Sequence, residues 1–360
     1  MKITIDASQI IYETGVSVYT KNLIKFLLKI DKVNTYQIIG GSLRRFGELG
    51  EKIDALIGDS KNGYKTTFPF APTASEFIFN RLGLDIDPLI GKPDVFHSSD
   101  WTQPKTDAFK VTTIHDLIPF LYPKLVHPKI RSVHIRRMER VKRCVDKIIV
   151  PSLTTRGDLM NLGIKEDRIV VIPEAVDNDL KRPSTKDVLK TQKKYRISDK
   201  YLLSVGTSPR KNIDRIITAF ERVRTEKPCK LVIVGEVKKH SSVRNVMFLG
   251  HIPTSDMAKI YCGAEALIYP SLYEGFGLPI LEAYALGVPV LTSNIGSLKE
   301  VGTDASILVD PYDVDSITQG INELLLKRNE YIKKGKEAVK KYSWEETAKK
   351  TLAVYEGFKK

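Results

Sequence analysis

The sequence predicts an α/β protein made of two doubly wound halves, each a parallel sheet with helices on both faces. Three observations carry that prediction. Two successive series of short apolar runs end in small or polar residues, helical periodicity fills the gaps between runs, and a polar, lysine-rich break separates the series. A length of 360 residues suits about two domains. A hydrophobic content of 42% against 28% charged residues supplies a core for each and excludes wholesale disorder.

The first run, Lys2 to Asp6 (KITID), leads through a glycine-containing loop into an amphipathic stretch over 16–30, with apolar positions at Tyr19, Leu23, Ile24, Leu27 and Ile30. That reads as strand, loop and helix. TYQIIGG, DVFHSS, KVTTIHD and KIIVPS continue the alternation. From Pro173 to Lys200 apolar residues thin out and eight Lys/Arg follow from Lys181 onward, which places the inter-domain linker there. YLLSVG, CKLVIVG, VMFLG, ALIYP and VPVLTS then form the second series. The expected organisation is an N-terminal domain over 1–180, a C-terminal domain over 181–342 and a terminal helix over 343–360. Ligands of such sheets bind beyond the carboxyl ends of the strands.

The net charge of +14, from 57 basic and 43 acidic residues, favours an anionic partner: nucleic acid, an acidic membrane surface or a phosphorylated small molecule. The basic residues are not interleaved with aromatics in any recognisable RNA- or DNA-binding module, so nucleic acid is not an expected partner. Cys144, Cys229 and Cys262 are far apart, with neither CxxC pairing nor nearby histidine ligands, and read as reduced thiols. No run approaches the ~18 apolar residues of a membrane span, and Asp6 falls where a signal peptide would run apolar. A cytoplasmic protein is expected.

The stretch from Tyr269 to Thr292, YPSLYEGFGLPILEAYALGVPVLT, concentrates the chemistry. Glu274 precedes the Gly275-Phe276-Gly277 turn, Pro279 suits a first helical turn, and Glu282 follows after seven intervening residues. Backbone N–H groups of Phe276, Gly277 and Leu278 at the helix start would form an anion site for a phosphate. Two carboxylates beside that site would repel phosphate and need another task. Accepting paired hydrogen bonds from vicinal hydroxyls suits them, as in a nucleotide bonded to a sugar.

EGFGLPILE resembles the Glu-x7-Glu signature of the retaining GT-B glycosyltransferases, particularly family 4. TGVSVYTKNL, TIHDLIPFLYP, SVGTSPRKN, LVIVG, FLGHIP and SWEETAKKTLAVYEGF agree, so the resemblance runs in order through almost the whole chain. It implies the GT-B architecture: two Rossmann-like domains facing across a cleft, the sugar nucleotide held mainly by the C-terminal one and the acceptor by the N-terminal one. The terminal helix is expected to return toward the N-terminal domain. By the same resemblance, Arg210 and Lys211 would neutralise the diphosphate, with Phe276, Gly277 and Leu278 contributing amides. Thr207 stands where many relatives carry Arg, so the phosphate role passes to those two cations only. Glu282 would hold the ribose and Glu274 the transferred hexose, Gly15 would let the backbone approach the donor phosphate, His115 would touch the donor sugar, and His97 would line the acceptor side.

The implied activity is transfer of a hexose from a nucleotide diphosphate sugar to a glycan or lipid-linked acceptor, with retention. SLYEGFGLP resembles mannosyltransferases, which makes GDP-mannose the first donor expected, ahead of UDP-glucose and UDP-N-acetylglucosamine. A sugar-nucleotide epimerase or hydrolase of similar fold remains an alternative, and a nucleic-acid-binding protein a more distant one. No cofactor and no metal are expected, because Asp85-Ile86-Asp87 lies outside the donor-side motifs and fixed cations serve the diphosphate instead. Lys124 to Lys147 holds nine Lys/Arg against Glu139 and Asp146 and reads as a basic, partly amphipathic helix. Since relatives act on lipid-linked acceptors, a peripheral contact with the anionic inner face of a membrane is also expected.

Overall fold

The computed structural model describes residues 1–12, 14–223, 229–236 and 243–357. They divide into two compact units, Met1–Asp177 together with Ser343–Lys360, and Asn178–Tyr342. The first unit contains β1 (Lys2–Asp6), β2 (Thr35–Gly41), β3 (Gly63–Phe68), β4 (Val95–Ser98), β5 (Phe109–Thr113), β6 (Lys147–Val150) and β7 (Ile169–Val171). They form one sheet in the order β3-β2-β1-β4-β5-β6-β7, parallel throughout. The second unit contains β8 (Lys200–Val205), β9 (Cys229–Val234), β10 (Val246–Phe248), β11 (Ala266–Tyr269), β12 (Val290–Ser293) and β13 (Ile307–Val309). Their order is β10-β9-β8-β11-β12-β13, again all parallel. In each unit the order reverses between the first and fourth strands, at β1/β4 and at β8/β11, and the crevice beyond those carboxyl ends is where a doubly wound sheet takes a ligand.

Central strands are apolar because helices cover both faces. Leu202, Leu231, Ile233, Ile268 and Leu291 are fully buried and pack against Ile213, Ile216, Phe220, Ile317 and Ile321 from the helices Ile213–Arg222 and Val314–Leu326. The polar stretch read as the linker contains the boundary between the units, at Asp177/Asn178, and also holds a ten-residue helix. Ser184 caps the helix Thr185–Lys194 by accepting from the Asp187 N–H at 3.2 Å, and Thr191 and Ile197 are buried. Lysines cover only its outer side, which is why its composition looks like that of a loop.

The helix Trp344–Glu356, capped by Ser343, belongs to the first unit and packs on the helix Gly15–Ile30. Trp344 Nε1 donates to the Val176 carbonyl at 2.8 Å and the Thr347 hydroxyl to that of Pro173 at 2.8 Å. The return of this helix to the N-terminal half matches what the resemblance implies.

Candidate active site

In the second unit β8 is followed by Gly206, whose φ of +89° turns the chain toward the short 3-10 turn Pro209–Lys211. A side chain at Gly206 would collide with the Lys211 stem, since a Cβ there would stand 2.8 Å from Lys211 Cε. Asn212 fastens the turn to neighbouring loops, its amide donating to the Pro270 carbonyl at 3.0 Å and the Pro311 carbonyl at 2.6 Å. The Leu272 N–H donates to the Arg210 carbonyl at 2.8 Å, which joins the β8 loop to the β11 loop.

Those ties bring Arg210 and Lys211 onto Glu274. Arg210 Nη1 lies 2.5 Å from Glu274 Oε2 and Lys211 Nζ 2.6 Å from Oε1, with all three side chains less than one-fifth exposed. Lys211 also donates to the Tyr269 hydroxyl, and Arg210 to the Tyr273 carbonyl at 3.0 Å. Burial pushes the Glu274 carboxyl upward, but the charges of Lys211 and Arg210 outweigh it and hold it below its ordinary value. The trio carries one net positive charge. The two cations stand preplaced on either oxygen of one carboxylate.

Beside the trio, Gly277 takes a φ of +128° as the N-cap of the helix Leu278–Leu286, with Pro279 in the first turn. The Ser297 hydroxyl donates to the Glu274 carbonyl at 2.7 Å and steadies the turn. Phe276 is buried, its ring edge-on to Tyr342 with centroids 5.9 Å apart. Glu282 is half-buried on the helix, and its Oε2 accepts from the Tyr261 hydroxyl at 2.9 Å. The structure thus gathers Arg210, Lys211, Glu274 and the helix start into one site, with Glu282 further along the same helix.

In the first unit His115 follows β5. Its Nδ1 lies 2.6 Å from Glu174 Oε1, and its ring meets Tyr19 edge-on at 4.7 Å. Burial pushes the imidazole pKa down, but the hydrogen bond and charge of Glu174 prevail and raise it above its ordinary value. Glu174 is itself buried, and sequence reasoning missed it. His97 behaves differently. Its Nδ1 lies 2.6 Å from the Tyr355 hydroxyl and its Nε2 2.9 Å from the Thr113 hydroxyl, and burial holds its pKa down at about 3. This neutral histidine ties the terminal helix to the sheet, so the structure places it inside the packing and not on an open acceptor wall. Gly15 is the exposed first residue of the helix Gly15–Ile30, which Thr14 caps by accepting from the Ser17 N–H at 3.3 Å.

A cavity of about 490 Å³ opens in the first unit at the β1/β4 switch point, with Asp6, Asp100 and Trp101 among its lining. None of these was singled out from the sequence. Burial raises the Asp6 pKa against the opposing hydrogen bonds from Ser8, whose hydroxyl donates at 2.5 Å and N–H at 2.9 Å.

The basic helix Pro128–Cys144 is not a uniformly solvated face. Arg136 pairs with buried Glu76 at 2.6 Å, and buried Arg137 donates to the Thr112 hydroxyl at 2.5 Å and the Ser99 carbonyl at 3.1 Å. Arg140 donates to the Gln103 carbonyl at 2.7 Å. Lys129, Arg131, Lys142 and Arg143 remain exposed. Of the Asp85-Ile86-Asp87 segment, Asp87 is buried and accepts from the Thr106 hydroxyl at 2.5 Å and the Asp107 N–H at 3.0 Å.

Comparison with known proteins gives the arrangement a family. The sequence profile of Glycosyltransferase Family 4 matches residues 14–180 and that of Glycosyl transferases group 1 matches 187–342. O-antigen chain mannosyltransferase B of Escherichia coli is 33% identical over 287 residues, 73% of this chain and 74% of that protein. The chain belongs to the family 4, group 1 glycosyltransferases. The MMP alpha-(1->4)-mannosyltransferase of Mycolicibacterium hassiacum is 28% identical to this glycosyltransferase over 241 residues, 62% of the chain and 56% of that protein. Among solved structures, sucrose-phosphate synthase of Thermosynechococcus elongatus superposes with a TM-score of 0.70 at 17% identity, covering 99% of this glycosyltransferase and 98% of that chain. Anabaena HepE in complex with UDP and glucose superposes at 0.68 and 14% identity, covering 99% and 100%. At such identities the likeness shows the fold, and the fold is GT-B.

Proposed function

We propose that this glycosyltransferase moves mannose from GDP-mannose onto a glycan or lipid-linked acceptor, with retention at the anomeric carbon and without a metal ion. The observation that carries the reading is the half-buried Arg210–Glu274–Lys211 trio beyond the carboxyl ends of β8 and β11, beside a helix N-terminus. The relatives named as mannosyltransferases support the choice of sugar.

The donor diphosphate takes Arg210 and Lys211 as counter-charges, with the Phe276, Gly277 and Leu278 amides supplementing them. Phosphate oxygens then compete with Glu274 for the cations, and the released carboxylate accepts hydrogen bonds from hexose hydroxyls. Glu282, oriented by Tyr261, takes the ribose diol. His115, held by Glu174, is assigned to the transferred hexose, and Gly15 to the approach of backbone to the donor phosphate. As the bond from the anomeric carbon to the diphosphate oxygen breaks, charge grows on the leaving group where the two cations stand. The acceptor oxygen attacks from the same face, and its proton passes to the departing phosphate oxygen.

No helix among the described residues is long and apolar enough to cross a membrane. A cytoplasmic enzyme touching anionic lipid through the exposed basic residues of Pro128–Cys144 is the proposed setting. Thermal melts with GDP-mannose, UDP-glucose and UDP-N-acetylglucosamine test the donor, since selective binding raises stability by mass action. The largest shift is expected with GDP-mannose, and NMR of the product should show the donor's anomeric configuration in excess EDTA. An inverted product, or activity abolished by EDTA and restored by Mg²⁺ or Mn²⁺, would overturn the mechanism.

A further inference from the structure

Glu174 lies on a stretch with no regular structure of its own. β7 ends at Val171, residues 172–177 are neither helix nor strand, and the chain leaves the first unit after Asp177. A side chain on such a segment is held in place by whatever fastens its backbone. Here the fastening comes from the far end of the sequence. The Thr347 hydroxyl donates to the Pro173 carbonyl at 2.8 Å and Trp344 Nε1 to the Val176 carbonyl at 2.8 Å, so the terminal helix grips the backbone on both sides of Glu174. Trp344, Thr347 and Glu174 are all buried. Phenylalanine and valine would serve packing alone as well, whereas the two donated hydrogens satisfy backbone carbonyls that flank the carboxylate.

Trp344 reaches His115 by a second route. The Tyr19 ring lies edge-on to His115 at 4.7 Å and to Trp344 at 5.6 Å, and its hydroxyl stands 3.1 Å from that of Thr113 at the end of β5. The imidazole is thus held by Glu174 at Nδ1 and by Tyr19 against its ring. With Nδ1 engaged, Nε2 is the atom left to meet a hexose hydroxyl, in a direction set by those two contacts. We infer that Trp344 and Thr347 are positioning residues for His115: they fix the backbone over 173–176, and through it the Glu174 carboxylate that aims the imidazole. The inference rests on the proposed role of His115 toward the transferred hexose and extends that role to a helix more than two hundred residues away. A reacting group misplaced by about 1 Å can lose about a hundredfold in rate, so such a grip matters to turnover.

The test uses the full chain carrying Thr347→Val and Trp344→Phe, singly and together, which remove the donated hydrogens and keep most of the side-chain volume. The acidic groups acting on His115 are Glu174, Asp100 and Asp116, with His97 and Tyr19 also close. Its titration, followed by NMR of the imidazole without any donor, therefore reports whether Glu174 is still in place. The double variant should titrate lower than the native protein, by at least about half of the drop produced by Glu174→Gln. Its kcat should fall at least about tenfold while the donor KM changes by less than about threefold. Thr347→Ser, which keeps the hydroxyl, should restore the native values at that position. Tyr355→Phe removes the hydroxyl 2.6 Å from His97 at the other end of the same helix, and should lower the urea midpoint without moving the His115 titration. If the Thr347 and Trp344 variants behave as Tyr355→Phe does, losing stability but keeping the native titration and kcat, the helix is only a brace and the inference is overturned. Should the double variant fail to fold, Thr347→Val against Thr347→Ser decides by the same two readings. His115→Ala separates the two claims: native kcat in that variant defeats the proposed role of His115, while a lowered His115 titration in Thr347→Val still upholds the positioning.

Discussion

The two units repeat one strand order and furnish its switch point with opposite chemistry. Beyond β8 and β11 the loops bring Arg210 and Lys211 together around one carboxylate, next to a helix N-terminus. Beyond β1 and β4 the corresponding loops bring Asp6, Asp100 and Trp101 to an aromatic-walled cavity with no lysine or arginine among the described residues of its lining. The sheet determines where a ligand can sit, and a handful of loop residues determine its charge. One unit presents paired cations there and the other paired carboxylates beside aromatic rings.

If that division is real, changes in one unit should move one substrate's parameters and leave the other's alone. The largest effect is expected for Lys211→Ala. Losing one charge-assisted contact to a leaving group costs about 2–4 kcal/mol of barrier, so turnover should fall at least about tenfold while the acceptor's affinity stays unchanged. A change confined to acceptor KM would break the comparison. Within the second unit, steady-state kinetics of Glu274→Ala and Glu282→Ala sharpen it. The first should lower kcat strongly, because hexose contacts orient the reaction centre. The second should mainly raise the donor KM, because a remote ribose contact is made about equally in ground and transition states.

A backbone effect comes next. Gly206→Ala puts a Cβ at a φ of +89° and against the Lys211 stem, which should destabilise the protein by about 1–3 kcal/mol in urea melts and weaken donor binding with it. The smallest effect is expected in the first unit. Because the His115 pKa is raised above 6.5, its pairing with Glu174 stabilises the fold fully below about pH 6.5 and loses that contribution as pH rises through the raised value. Glu174→Gln should cost about 1 kcal/mol at pH 6, less at higher pH, and lower the His115 pKa followed by NMR. A stability difference that grows with pH would contradict the assigned charge state.

The central strands were legible because burial on both faces makes them near-continuous apolar runs. β3, β7 and β13 were not, and each is a sheet edge: GYKTTF keeps polar, half-exposed positions, and the other two are three residues long. Arg210, Lys211 and Glu274 could be picked out because the family resemblance falls on the loops that carry them, SVGTSPRKN and EGFGLPILE. Their mutual pairing could not, since Lys211 and Glu274 are 63 residues apart and meet only because β8 and β11 are neighbours. Asp6 and Asp100 carried no local signal, as an aspartate after a strand is as often a turn residue as a ligand group. Glu174 was hidden for the same reason as His97's true partner: both contacts span elements that only the tertiary fold unites.

The closing helix has a consequence for synthesis. The chain leaves the first unit after Asp177 and re-enters it at Ser343, so the second unit is inserted within the first. Every residue of the inserted unit therefore precedes Trp344 and Tyr355, the partners that Tyr19 and His97 need. The usual order, in which the N-terminal domain finishes before the next is made, is not open to this chain. A chain halted before Trp344 would hold every residue of the second unit while the first still lacked its closing helix.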